Sequence, residues 1–407
     1  MSPPHGQGAT SQGLAVSDRH AFIYSGALGN YQLSPTHPFK PERIELTRDL
    51  LHHADNLGRE QEHEPDLISE RELLSVHVRE YVEIVKAVSG GERLHDAYRH
   101  GLGTGDNPIF DGMHDAVLGV CAATCTAVEL VASGRVERAV NLSGGLHHAL
   151  ADRASGFCVY NDLALGIEHA TRRHGLRVAY IDIDAHHGDG VQWFFFERSD
   201  VMTISLHESG RYLFPGTGHP YEIGKGDGRG LSVNAPLEPF TDDESFIDVF
   251  DTVVPVALRA FQPDLLVLQA GADAHRNDPL ADLALSTHGM AACYQRVSDL
   301  ADELCQGRLV ATGGGGYDAY RTVPRAWALL WGAVSRQKVP EALPEAWRQT
   351  WRHRSAQPLP ETLHDDVDTW EATPRRREVA SHNRIVAGRL LESLTPIWKE
   401  RFGRHSA

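Results

Sequence analysis

The stretch RVAYIDIDAHHGDG, residues 177–190, decides how this chain folds and where its chemistry lies. Its first half, Arg177 to Ile183, is a short apolar run with no polar face, as expected of a strand buried on both sides in a parallel sheet. Its second half changes at once to Asp184, His186, His187 and Asp189. Ligands of open α/β sheets collect beyond the carboxyl ends of the strands. Asp184 and His186 are two residues apart, so in extended backbone both side chains leave on one side and can reach one ion. Taken alone, an Asp-x-His pair is no more than a hydrogen-bonded strand terminus.

Outward from this stretch the pattern repeats. Similar runs stand at 138–142, 201–206, 265–269 and 308–312, separated by helical patterns, which predicts an α/β domain built on a mostly parallel sheet. They are followed by SGGLHH at 143–148, HESG at 207–210, AGAD at 270–273 and four glycines before Tyr317. Random placement of 24 histidines would not gather polar groups at five strand ends in this way. Asp273 is the candidate third donor, and three protein donors leave the fourth position of a tetrahedral zinc open, as catalytic sites do. His147 and His148 have the near-neutral pKa that amide hydrolysis asks of a general base or acid. Asp182 and Asp189 flank the donor pair and are free to orient those imidazoles. Gly313 to Gly316 allow close approach of backbone to a ligand, and the Tyr317 hydroxyl can donate to a developing oxyanion. The glycine run lacks the Lys-Ser/Thr ending of a phosphate loop, which disfavours nucleotide binding.

Bulk properties limit the partners. The 407 residues, 41% hydrophobic, suffice for a large core. With 39 basic and 55 acidic residues the formal charge is −16, which argues against nucleic acid or an anionic membrane and favours a lysine-bearing substrate. No apolar stretch is expected to span a bilayer, and the opening MSPPHGQGATSQG lacks a secretory pattern, so a cytoplasmic protein is expected. Five cysteines without a C-x-x-C pair are expected to be free thiols, Cys121 and Cys125 among them as small buried hydrophobes. Residues 1–18 read as a disordered tail and 19–335 as the catalytic domain. The remainder, 336–407, reads as an extension: irregular and superficial over about 340–380, then a helix at about 377–401. That helix would pack through Val386, Leu390, Leu394 and Ile397.

From about Tyr24 to Trp331 the motifs resemble, in order, those of the histone deacetylase superfamily, and within it the bacterial acetoin-utilisation-type deacetylases. They are GNY at 29–31, HPFKPERI at 37–44, DNPIF at 106–110, GGLHHA at 144–149, SGFCVYND at 155–162, DIDAHHGDG at 182–190, FPGTG at 214–218, GAD at 271–273 and GGGGY at 313–317. The resemblance implies a single arginase/deacetylase-type α/β domain with about eight strands. It implies that Asp184, His186 and Asp273 bind Zn2+, that His148 is general base and acid with Asp189 behind it, and that His147, paired with Asp182, acts electrostatically. Tyr317 would polarise the acetyl carbonyl. Gly156, Phe157 and Phe214 would wall a narrow tunnel, Asp106 would hold the substrate backbone at its rim, and Arg43 would line an internal channel. A structural K+ would use oxygens of Asp182, Asp184, His186, Ser205 and Leu206.

Gly105 departs from the acidic residue common beside Asp106. Leu280 stands where polyamine-selective relatives tend to carry an acid, which favours acetyl-lysine over acetylpolyamines. The expected substrate is an acetylated protein such as acetyl-CoA synthetase. A two-manganese arginase-like hydrolase shares the Asp-Ala-His motif but needs a close aspartate pair, and Asp273 has only Asp278 five residues on. A third alternative is a non-catalytic acetyl-lysine-binding module.

Overall fold

The computed structural model describes residues 19–403, so the expected tail at 1–18 lies outside the described residues. The strands are β1 (His20–Ile23), β2 (Glu62–His63), β3 (Arg138–Asn141), β4 (Val178–Asp182), β5 (Val201–Glu208), β6 (Ser232–Leu237), β7 (Leu265–Gln269) and β8 (Leu309–Thr312). They form one eight-stranded sheet in the order β2-β1-β3-β8-β7-β4-β5-β6. Every pairing is parallel, where a mostly parallel sheet was expected. The five strands legible in the sequence are the five contiguous central ones, because only a strand covered on both faces must be apolar throughout. β1, β2 and β6 escape that rule. They are short or peripheral, and β6 carries Pro236, which an edge strand tolerates.

Register brings the chemistry together. Asn141 pairs with Thr312, Thr312 with Gln269, Gln269 with Asp182 and Asp182 with Ser205. β3, β8, β7 and β4 therefore end on one transverse row that also crosses β5 at Ser205, and residues just past that row share one crevice.

The helices are α1 (Glu42–His53), α2 (Glu70–Leu73), α3 (Arg79–Ser89), α4 (Met113–Ala132), α5 (Asp162–His174), α6 (Asp189–Phe195), α7 (Asp243–Phe261), α8 (Thr287–Cys305), α9 (Val323–Ser335), α10 (Glu345–Trp351) and α11 (Arg376–Phe402). One contiguous group runs α3-α4-α5-α6; the other runs α11-α7-α8-α9-α1-α10. β3 touches α4 and α9, and β5 touches α6 and α7, so the sheet lies between the two groups. α4 corrects one expectation: at 20 residues it is long and apolar enough to cross a membrane. Most of it is buried against α5, β3 and β1, which makes it a core helix here, and Cys121 and Cys125 lie inside it as buried free thiols.

The segment read as irregular surface contains α10, whose Trp347 is fully buried and donates from Nε1 to the Leu46 carbonyl at 3.0 Å. α11 packs on α7 and β6 through Val379, Asn383, Ala387, Leu390, Leu394 and Trp398, with Val386 and Ile397 only flanking that stripe. Leu390 and Leu394 lie in the stripe as expected, and apolar periodicity could not add Asn383 to it because that residue is polar. Asn383 accepts the Glu238 N–H at 3.0 Å and donates to Thr241 Oγ1 at 2.8 Å.

Candidate metal centre and active-site crevice

Past the ends of β4 and β7 the structure aims three donors at one point: oxygens of Asp184 and Asp273 and the Nδ1 of His186. The nitrogen lies 3.1 Å from Asp184 Oδ1 and 2.9 Å from Asp273 Oδ2. Each carboxylate commits its other oxygen to the protein. Asp184 Oδ2 accepts from Gly315 N at 2.8 Å and Gln269 Nε2 at 2.9 Å, and Asp273 Oδ1 accepts from Ala185 N at 2.8 Å. Asp184 Oδ1 also accepts the His186 N–H at 2.9 Å and keeps a carboxylate lone pair for an ion. One nitrogen and two carboxylate oxygens, all buried, suit a divalent first-row cation and leave a coordination position open.

The two histidines after β3 stand beside this point with ring centroids 4.0 Å apart. His147 Nδ1 is 2.8 Å from Asp182 Oδ2, and His148 Nδ1 is 2.7 Å from Asp189 Oδ1. Their environments drive them apart. Burial opposes charge on His147, but the carboxylates of Asp182 and Asp184 outweigh it and raise its pKa to about 9. Burial and the neighbouring His147 and His186 hold His148 well below its ordinary value. One imidazole is thus biased toward the cation and the other toward the neutral base.

The glycine run after β8 wraps the far side. A side chain at Gly315 would collide with the carboxylates of Asp273 and Asp184, so that position admits only glycine. Arg43, buried and packed 4.5 Å over the Phe39 ring, donates to the carbonyls of Gly314 at 3.1 Å and Gly316 at 2.7 Å and fixes the loop. Tyr317 follows. Burial and the nearby Asp273 and Asp184 push its phenol well above its ordinary pKa, so it remains a hydrogen-bond donor.

Phe157, Phe214 and Gly156 stand close to the histidine pair and Tyr317. Phe157 meets Tyr317 edge-on at 5.8 Å, and Phe214, 44% exposed, meets His148 edge-on at 5.0 Å. Gly156 has a φ of 50°, and a Cβ there would strike both His148 and Phe214. Asp106 is exposed and adjacent to His37, whose ring packs 4.4 Å from Phe157. Leu280 is 38% exposed on the turn capped by Asp278. Ser205 lies in register with Asp182, and Leu206 follows it within β5, so the residues expected around a monovalent cation stand on adjoining strands. The Asp182 carboxylate is already engaged by His147, by Tyr180 Oη at 2.6 Å and by Asp184 N at 3.1 Å.

Sequence reasoning gave no role to several residues that hold this site. Asp162 accepts Gly145 N at 3.1 Å and Leu146 N at 2.7 Å, fixing the loop before the histidines. It sits in the first turn of α5, where an acidic residue looks like an ordinary dipole partner. Gln269, hidden at the end of an apolar strand, holds Asp184. Asp278 uses Oδ2 to accept Tyr317 N at 2.7 Å and Oδ1 to accept Leu280 N at 2.9 Å, so it orients the tyrosine backbone. Asp365, from the extension, accepts His275 Nε2 at 2.8 Å, Thr287 N at 2.9 Å and Arg325 Nη1 at 2.9 Å, bracing the loop that begins at Asp273.

A parallel sheet whose central strand ends present a buried carboxylate–imidazole triad beside a histidine pair defines a class of metal-centred hydrolase sites. The histone deacetylase domain matches residues 37–334, and the chain belongs to the histone deacetylase family. Within it the chain is an AcuC-like protein. It is 40% identical over 374 residues to the acetoin utilization protein AcuC of Bacillus subtilis (strain 168), covering 92% of this chain and 97% of that one. It is 35% identical to AcuC of Staphylococcus xylosus over 372 residues, covering 91% and 97%. The crystal structure of an HDAC homolog complexed with SAHA superposes with a TM-score of 0.81 at 29% identity, covering 91% of this chain and all of that one. The HDAC homolog from Aquifex aeolicus gives 0.80 at 28%, with the same coverage. The family and these relatives make the chain a deacetylase.

Proposed function

We propose that this deacetylase is zinc-dependent and hydrolyses the acetyl amide of N-ε-acetyl-lysine in proteins, releasing acetate. The observation that carries the reading is the convergence of one oxygen from each of Asp184 and Asp273 with His186 Nδ1, directly beside a histidine pair of split basicity. A bound zinc would supply Lewis acidity to the amide carbonyl and acidify a water. The chain's own groups divide the remaining work. His148, held neutral and oriented by Asp189, takes a proton from the attacking water and returns it to the departing lysine amine. Tyr317 donates its hydroxyl to the oxygen on which negative charge develops. Phe157 and Phe214 bound a passage fit for an uncharged methylene chain and exclude water from it.

A two-metal alternative is disfavoured because, among the described residues, the donors that converge in the crevice are Asp184, His186 and Asp273, with no second carboxylate pair beside them. A monovalent cation near Ser205, Leu206 and the β4 end is part of the proposal, as is an acetylated protein such as acetyl-CoA synthetase as partner. Five buried free cysteines fit work in the reducing cytoplasm. The test is acetate release from an acetyl-lysine peptide, compared with N-acetylputrescine. Turnover should vanish on chelation and return with zinc. Full turnover by metal-stripped protein, or preference for the polyamine, overturns the reading.

A further inference from the structure

Away from the crevice, on the surface formed by α4 and α5, a second set of donors converges. The Nε2 of His169 lies 2.7 Å and the Nε2 of His174 2.9 Å from the same atom, Oε2 of Glu129. These spacings match the 2.9 and 3.1 Å found among the crevice donors, and all three ligating atoms lie within 4.8 Å of one another. The imidazoles are 5.8 Å apart and inclined at 41°, so they meet the carboxylate as separate converging donors rather than as a stacked pair. A further carboxylate stands behind one of them: Oε1 of Glu72 is 3.7 Å from His169 Nδ1. The other oxygen of Glu72 is fixed by Ser69 N at 2.7 Å and Ser69 Oγ at 2.8 Å. A carboxylate behind the remote ring nitrogen is the arrangement that orients a metal-bound imidazole and leaves Nε2 free to ligate.

We propose that Glu129, His169 and His174 form a second, non-catalytic site for a divalent transition ion of the kind imidazole prefers, such as zinc, nickel or copper. The side chains are 25%, 9% and 19% exposed, so an ion can arrive from solvent without local unfolding. Arg173, 63% exposed, stands 3.6 Å from the same Glu129 oxygen and competes for it. A bound ion would clamp α4 to α5, the helix whose first residue, Asp162, holds the loop leading to His147. The expected consequence is a stabilised scaffold and an unchanged chemical step.

The test is zinc stoichiometry of the full chain by equilibrium dialysis and elemental analysis after chelator stripping. Wild type should bind two equivalents. The double variant His169→Gln/His174→Gln should bind one and keep its deacetylase activity; the double variant Asp184→Asn/His186→Gln should also bind one, lost when the two pairs are combined. That design separates failure of the surface site from failure of the crevice reading. Glu72→Gln should weaken the surface equivalent about tenfold, and Arg173→Ala should tighten it, a change that a plain ion pair would not produce. A single equivalent in wild type, or a second that survives the His169/His174 substitutions, overturns the proposal. Should those substitutions compromise folding, Cu2+ bound to the Asp184→Asn/His186→Gln variant gives a second readout. Its electron paramagnetic resonance spectrum should show imidazole nitrogen couplings that Glu129→Gln alters, and a spectrum without such couplings overturns the site equally.

Discussion

The crevice beyond β3, β8, β7, β4 and β5 and the C-terminal extension are built on opposite terms. In the crevice, residues far apart in sequence become neighbours because parallel strands end in register, so one backbone row from Asn141 to Ser205 gathers all the donors at once. Among the described residues the extension adds no strand to the sheet. Apart from the packed stripe of α11, it is held by single long-range anchors, Trp347 on Leu46, Asp365 on His275 and Arg325, and Trp398 on Gly230 at 2.7 Å, each of which must be secured separately. A repeating backbone rule therefore positions the chemistry, while individual side chains fasten the periphery to it.

The largest effects should come from breaking the crevice itself. Asp273→Asn keeps the shape but withdraws a charged donor. It is expected to abolish zinc retention and reduce deacetylation by several orders of magnitude with little change in melting temperature, checked by elemental analysis and acetate release. Tyr317→Phe should retain metal and fold yet lose about 10²–10³ in kcat, the cost typical of removing one oxyanion donor. A Tyr317→Phe protein within threefold of wild type would place the donor elsewhere.

The same contrast explains what the sequence discloses. Asp184, His186 and Asp273, the His147–Asp182 and His148–Asp189 neighbourhoods, and the glycine run all lie within a few residues of an apolar strand, and that adjacency is visible in one dimension. Gln269, Asp162 and Asp365 act over distances that no local pattern encodes. Asp365 lies 90 residues from His275 in a stretch rich in Pro and Arg, where a lone aspartate looks solvated. β2 was illegible because two residues carry too little periodicity to register. The polar face of α11 misled for a physical reason: Asn383 is buried because its amide is fully used, and hydropathy does not see hydrogen bonds.

The anchors of the extension can be broken without touching the strand ends. Asp365 resists burial, which favours its neutral form, because His275 and Arg325 hold its carboxyl well below the usual range. Asp365→Ala leaves Arg325 unpaired in the interior and should cost about 3–5 kcal/mol in urea unfolding. Its His275 partner lies in the turn between Asp273 and Asp278, so zinc affinity should weaken by roughly tenfold as well. Trp347→Ala should cost about 3–5 kcal/mol through the lost packing, with zinc affinity unchanged. Equal loss of zinc affinity in both variants would mean that the extension acts only through global stability.

The smallest expected effect tests whether acid attacks the scaffold under the crevice. Burial lowers the pKa of His77 to about 4, and its Nε2 accepts the N–H of Asn161 at 3.0 Å, which requires the neutral ring. Asn161 caps α5 and donates to the carbonyls of Ala149 at 2.9 Å and His147 at 3.4 Å, so protonating His77 would disturb the loop bearing the histidine pair. In the unfolded chain His77 titrates near 6.5, so between that value and about 4 the unfolded state binds a proton that the folded state refuses. The stability tied to this histidine is complete above about pH 6.5 and is lost progressively as pH falls through the folded pKa. From pH 8 to pH 5 the loss should be roughly 2 kcal/mol, read as a lower urea midpoint. His77→Gln, which keeps an acceptor for Asn161 but cannot titrate, should be weaker than wild type at pH 8 yet lose less on acidification. An identical acid loss in both proteins would assign the sensitivity to another buried histidine, with His20, also lowered to about 4 by burial, as the first to substitute.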